Sequence, residues 1–263
     1  SHSFIRREIQ ALERQGVAVT RYALRGWADA LADQLDTDES PKVRYVLEDG
    51  AKGLLRALLG VARQQPMNFL RTLLDTLLMA TGGLRPFHHL AYFAEACWLQ
   101  RAMQANPVDH LHVHFGTNAV IVALLLQRLG GPGYSFTVHG PEEFDSPVAL
   151  QLRDKAAEAR FVVAVSSYGR GQLMRWLAPA DWLKVQVVHC GLSSKSFPEA
   201  APVDVASRRF VCVGRFCEQK AQLLLIDAMA QLKAEGIAAE LVLAGDGDMR
   251  ADIEAAIAHH GLQ

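Results

Sequence analysis

The residues with the clearest chemical potential lie in one run, Val211-Cys-Val-Gly-Arg-Phe-Cys-Glu-Gln-Lys220. A short apolar β-type stretch, Phe210 to Val213, ends at Gly214. Arg215 follows, and Lys220 comes five residues later, at the start of a helical pattern. This spacing predicts two cations and the free N–H groups of a helix start at the carboxyl end of a strand. Open α/β sheets bind ligands there, and helix starts favour anions. Arginine forks onto phosphate oxygens while lysine acts as a point charge. The chemistry predicted is diphosphate binding; the plainer alternative is an ordinary βα unit with surface cations.

Other strand ends carry polar signatures: His114-Phe-Gly116, His139-Gly140, Ser166-Ser167 and His189-Cys-Gly191. Strand carboxyl ends form one rim of a parallel sheet, and a row of such residues there is more than a core needs. An imidazole at a strand end can hydrogen-bond a hydroxyl or help move a proton. Glu142, Glu143 and Asp145 follow His139 and could bind ligand hydroxyls or cap the next helix. Ser166 and Arg170 lie at a helix start, where Ser166 suits an N-cap. Gly245-Asp246-Gly247 follows the strand Glu240 to Ala244, and a lone G-x-G is weak by itself. His110, His112 and His114 alternate along one strand and so share a face. With His139, His189 and Asp246 they could ligate zinc, which makes a metal-dependent hydrolase the alternative reading. No loop-borne carboxylate is spaced to complete such a site.

The elements that must position these residues follow a strand–helix rhythm. A helix from Phe4 to Gln15 ends at Gly16, a strand runs from Val17 to Leu24, and Trp27 to Pro41 reads as a charged loop. Lys52 to Arg101 is helical, interrupted at Pro66, Gly82-Gly83 and Pro86, and holds six cations against two acids. A basic amphipathic helix can lie on an anionic membrane surface. The ordinary reading is core helices with solvated arginine faces, and any lipid contact is expected within Lys52 to Leu78. From Asn106 onward, strands at His110–Phe115, Tyr134–Val138, Phe161–Val165 and Lys184–Val188 alternate with helices at Thr117–Leu129, Leu150–Ala159 and Ser167–Leu177. That alternation predicts an α/β fold with a doubly wound parallel sheet.

The chain has 263 residues and a net charge of -1, which gives no electrostatic footprint for nucleic acid. Cys97, Cys190, Cys212 and Cys217 show no C-x-x-C spacing and are expected to be reduced thiols of a cytoplasmic protein. No run is long and apolar enough to span a bilayer.

Five stretches carry a family resemblance: VGRFCEQKAQLLLIDAMAQL from Val213, LVLAGDGDMRADIEAAI from Leu241, SFTVHGPEEFD from Ser135, FVVAVSSYGRGQLMRW from Phe161, and VVHCGL from Val187. Together they resemble the family 4 retaining glycosyltransferases of the two-domain GT-B fold, in the branch that builds exopolysaccharides such as colanic acid. The resemblance implies two Rossmann-like doubly wound parallel-sheet domains facing a cleft. Residues 1–193 would form the acceptor-side domain with a helical insertion at 52–101, residues 194–207 the linker, and residues 208–263 part of the nucleotide-sugar donor domain. The start Ser3-Phe-Ile-Arg-Arg-Glu-Ile is similar to the family's helix after its first strand, and the family's E-x7-E element is not met before Gln263. The chain is therefore expected to be a piece of a longer protein.

The resemblance also implies roles. Arg215 and Lys220 hold the donor diphosphate, with Gly214, Gly245, Asp246 and Gly247 near the nucleotide. His139 faces the donor sugar and the reacting centre. Ser3, His114, Gly116, Glu142, Glu143, Ser166 and Arg170 belong to the acceptor side or cleft. One departure is Ala221, where the family usually has glycine after the lysine. The implied activity is transfer of a sugar from a nucleotide-diphosphate sugar to a hydroxyl acceptor, a saccharide or lipid-linked saccharide, with retention and without a metal or other cofactor. The implied place is the cytoplasm, at the inner face of the cytoplasmic membrane if lipid is engaged. A non-catalytic saccharide-binding remnant is the remaining alternative.

Overall fold

The computed structural model describes residues 3–26, 34–81, 86–140, 142–191, 202 and 204–263. Internal contacts divide the chain into two compact units, Ser1–Leu192 and Ser193–Gln263. Most of the expected linker, residues 194–201 and 203, lies outside the described residues, as does the expected break at Gly82-Gly83.

Unit 1 opens with α1 (Ser3–Arg14), β1 (Arg21–Ala23), α2 (Gln34–Glu39) and β2 (Val43–Tyr45). Three long helices follow: α3 (Gly50–Gln64), α4 (Pro66–Thr81) and α5 (Pro86–Ala105). The remainder alternates: β3 (Leu111–His114), α6 (Asn118–Arg128), β4 (Tyr134–Val138), α7 (Glu142–Asp145), α8 (Leu152–Glu158), β5 (Val162–Ala164), α9 (Ser167–Trp176) and β6 (Val185–Val187). Strands β1 and β2 pair in parallel, and β3-β4-β5-β6 form a second parallel sheet in that order.

The apolar runs explain the core. Val120 to Leu126 of α6 is apolar on every face, and each residue in it is buried; a helix apolar all round belongs inside. It packs against β3, β4, α5 and α8. Strand β4 is buried throughout, as a central parallel strand should be. On α3 the deepest residues are Gly53, Ala57 and Val61, spaced four apart. This small-residue stripe lets α3 lie close against α5.

Unit 2 contains β7 (Arg209–Val213), α10 (Gln222–Ala234), β8 (Glu240–Ala244) and α11 (Arg250–His259), with β7 and β8 paired in parallel. Its small core is Phe216, Ile226 and Ile253.

Three local expectations need correction. The stretch 27–41, read as loop, contains helix α2, and Arg6 of α1 pairs with Asp36 on it. Strand β2 was not expected, because three residues are too few to show alternation. Lys220 does not begin an α-helix: it closes a 3-10 turn, Glu218–Lys220, and α10 starts only after Ala221.

Candidate active site

In unit 1 one face of β3 and β4, together with the loops after them, builds a dense polar cluster. Parallel pairing sets His112 beside Ser135 and His114 beside Thr137, so alternate residues of both strands share one face. His112 Nδ1 lies 2.8 Å from the Ser135 hydroxyl, and its Nε2 lies 2.8 Å from the Thr137 hydroxyl. His110 Nε2 meets the same Ser135 hydroxyl at 2.7 Å. Burial pushes the His112 imidazole down to about 4. At neutral pH it is therefore uncharged, donating from one nitrogen and accepting at the other.

Farther along, His114 Nδ1 and His139 Nε2 are 3.1 Å apart. The His139 ring sits against two phenyl rings, Phe4 of α1 and Phe115, each with centroids 4.7 Å away. Phe115 has φ +67, a left-handed conformation that costs a bulky residue strain. Its ring contact on His139 shows where that strained backbone directs the side chain.

Glu143 is 3% exposed and spends both carboxylate oxygens on backbone. One accepts from Gly116 N–H, and the other accepts from His139 N–H at 2.6 Å and Gly140 N–H at 3.0 Å. A side chain built on Gly116 would press on Leu152 and on this carboxylate, which is why the His-Phe-Gly motif ends in glycine. Fully buried Lys155 donates to the carbonyls of Gly116 at 2.9 Å and Thr117 at 2.8 Å. Burial raises the Glu143 carboxyl above its ordinary range, against the pull of its three N–H donors and Lys155. Burial likewise lowers the Lys155 ammonium to about 7, with Glu143 opposing the shift. Glu143 thus fastens the β3 and β4 end loops together, and Lys155 ties the β3 end loop to α8.

The rest of this rim is simpler. Ser166 caps α9, accepting from Gly169 N–H at 3.0 Å. Arg170 is exposed on that helix, and His189 Nδ1 lies 3.0 Å from the Val165 carbonyl. Ser3 opens α1 one residue before Phe4. The side chain of Glu142 lies outside the described residues. Among the described residues, one group has metal-ligand geometry: Glu8, His112 and His114 bring ligand atoms within 4.8 Å of one another. The carboxylate that the loops lack is thus supplied by helix α1.

In unit 2 the loops after β7 and β8 lie back to back. Phe216 N–H donates to the Asp246 carbonyl at 2.9 Å, and Met249 N–H donates to the Phe216 carbonyl at 3.2 Å. A side chain on Gly245 would collide with the Gly214 carbonyl, and one on Gly247, at φ +155, with the Phe216 carbonyl. The G-x-G glycines therefore permit loop-on-loop packing. Asp246 accepts from Gly247 N–H at 2.8 Å and from Arg250 Nε at 2.8 Å. The Arg250 bond holds its carboxylate below the ordinary range.

Arg215 and Lys220 are exposed at the end of β7. Among the described residues neither side chain has a hydrogen-bond or ion-pair partner. The Lys220 stem runs beside Gly214, with carbons about 3.9 Å from where a Gly214 Cβ would stand. Ala221, between the 3-10 turn and α10, has φ 53 and ψ 36, which costs alanine about 1–2 kcal/mol.

Two family models match this chain. Residues 79–195 match Glycosyltransferase Family 4, and residues 207–263 match Glycosyl transferases group 1. Each unit thus contains a stretch that matches a glycosyltransferase family model. A comparison with curated proteins gives no match. Among solved structures, the crystal structure of TarM superposes with a TM-score of 0.50 at 10% identity, over 63% of this chain and 34% of that one. A point mutant of S. aureus TarM, in complex with fondaparinux, alpha-GlcNAc-glycerol and UDP, gives 0.49 at 12% identity, over 64% and 35%. The likeness at 0.50 is one of fold, a partial GT-B architecture, and the chain spans about a third of the length of these neighbours.

Of the residues singled out in the sequence, the first unit brings His114, Gly116, His139 and Glu143 together, with Phe4 beside them. The second brings together Gly214, Arg215, Lys220, Gly245, Asp246 and Gly247. Sequence reasoning missed Lys155 and Arg250. Lys155 had a signal: it falls on the buried stripe of α8 with Leu152 and Ala156, where a lone cation needs a partner. Arg250 lies four residues after Asp246, at ion-pair spacing on a helix start.

Proposed function

We propose that the protein transfers a sugar from a nucleotide-diphosphate sugar to a hydroxyl acceptor, with retention, in the assembly of an exopolysaccharide or other cell-surface glycan. The observation that carries this reading is the pair of cations, Arg215 and Lys220, exposed and without side-chain partners among the described residues, at the carboxyl end of β7 in the stretch that matches Glycosyl transferases group 1. In this reading the two cations hold the donor diphosphate and stabilise its negative charge as the glycosidic bond breaks. No metal ion is then needed for that task. The leaving diphosphate helps take the proton of the attacking hydroxyl on the same face of the sugar, and positioning supplies much of the remaining rate.

His139 is the proposed catalytic imidazole. Its ring is held by Phe4, Phe115 and His114, and its backbone by Glu143. The acceptor is a saccharide or lipid-linked saccharide, and the proposed place of work is the inner face of the cytoplasmic membrane. The test is incubation with a panel of UDP- and GDP-sugars and saccharide acceptors, following nucleoside diphosphate release and the anomeric configuration of the product by NMR. Release with retained configuration is expected. Inverted product would overturn retention, and saccharide binding without turnover would support a binding remnant.

Glu8, His112 and His114 favour a second reading, a metal-dependent hydrolase. It requires His112 to give up one of two hydroxyl contacts. Elemental analysis after dialysis separates the readings, since one tightly held zinc per chain would favour the hydrolase.

A further inference from the structure

Helix α4 exposes what a helix ordinarily buries. Its deepest residues are two threonines, Thr72 at 1% and Thr76 at 0% exposure. Opposite them stand Met67 at 78%, Leu70 at 55%, Leu74 at 53% and Leu78 at 70%. Spacings of three, four and four residues put these side chains on one stripe. On α3, Leu55 and Leu59 are exposed in the same way, at 57% and 64%, opposite the buried Gly53, Ala57 and Val61. Exposed apolar side chains scattered singly are ordinary, but rows of them on neighbouring helices mark an interaction surface.

Charge decides the partner. Lys52, Arg56, Arg63 and Arg71 are all exposed on these two helices, and among the described residues none of their side chains has an acidic partner. The single acid on α3 and α4, Asp75, is paired to Arg128 at 3.4 Å. A second copy of the chain meeting this face through a twofold axis would bring like charges together. An anionic lipid surface offers acyl chains to the leucines and negative headgroups to the four cations at once. No described helix is long and apolar enough to cross a membrane. The 16 residues of α4 extend about 24 Å, short of the roughly 30 Å hydrocarbon core, so the helix lies on the surface.

We propose that α3 and α4 form a docking face that seats unit 1 on an anionic membrane. The inference rests on these helices alone and stands whether or not the protein transfers sugars. The experiment is flotation of the protein with vesicles of phosphatidylcholine, and with vesicles of phosphatidylcholine and phosphatidylglycerol. Binding to the anionic vesicles alone, weakened by high salt, is expected. Leu70→Ser/Leu74→Ser and, separately, Arg63→Glu/Arg71→Glu are each expected to weaken it at least tenfold, with the thermal unfolding midpoint near that of the parent because every altered side chain is exposed. Equal binding to both vesicle types, or no loss in either variant, would overturn the proposal. So would a concentration-dependent dimer, seen by sedimentation velocity without lipid and dispersed by Leu70→Ser/Leu74→Ser, since the face would then belong to a second copy.

Discussion

The two units carry their polar groups at the same place in the fold, the carboxyl ends of parallel strands, and treat them in opposite ways. In unit 1 the groups satisfy one another: Glu143 takes three backbone N–H groups, Lys155 takes two carbonyls, and His114 contacts His139. In unit 2 Arg215 and Lys220 stand in solvent without partners among the described residues, while neighbouring Asp246 is taken up by Arg250. The first arrangement is a preorganised frame whose charges are spent on holding shape. The second leaves its two cations exposed, as the proposed diphosphate binding requires. Substitutions should therefore cost stability in unit 1 and binding in unit 2.

The largest effect is expected from Glu143→Ala. It strands three backbone N–H groups and removes the carboxylate whose charge favours the buried Lys155 ammonium, and should lower unfolding stability by about 3–5 kcal/mol, read as the midpoint of urea denaturation. A loss below about 1 kcal/mol would mean that the frame is not structural. Next is the pH response of Lys155. Its ammonium is lowered from 10.5 to about 7 in the folded state, so between those values the unfolded chain binds a proton that the folded chain releases. Stability from this group rises with pH through that window and is lost as pH falls toward about 7. Lys155→Met should remove that slope, measured as urea midpoints near neutral and near pH 9. An unchanged slope would place the titration elsewhere. The smallest effect is at Ala221. Glycine relieves its left-handed backbone but adds unfolded-state entropy, so Ala221→Gly should stabilise by about 0.5–1 kcal/mol. Destabilisation on thermal melting would show that the conformation costs nothing.

Much of this was readable from the chain. Strands β4 and β8 fall where the sequence reading places them, over Tyr134–Val138 and Glu240–Ala244, and the cap at Ser166 follows from its residue type. The role of Glu143 was not readable. Its partners Gly116 and His139 come from two loops, and only the pairing of β3 with β4 brings them to one carboxylate. Glu8 was invisible as a neighbour of His112 for the same reason: the contact runs between α1 and β3, far apart in sequence. The glycines of Gly245-Asp246-Gly247 suggested a ligand loop, and the structure shows what they do locally, which is to let two backbones touch.

The central claim is that Arg215 and Lys220 are kept free for a diphosphate. Isothermal titration of the protein with UDP and GDP, and of Arg215→Ala, tests it most directly. The account predicts at least tenfold weaker binding of the preferred nucleotide to Arg215→Ala, about 1.4 kcal/mol, with the unfolding midpoint unchanged because the side chain is exposed and unpartnered among the described residues. Equal affinity in parent and variant would contradict it.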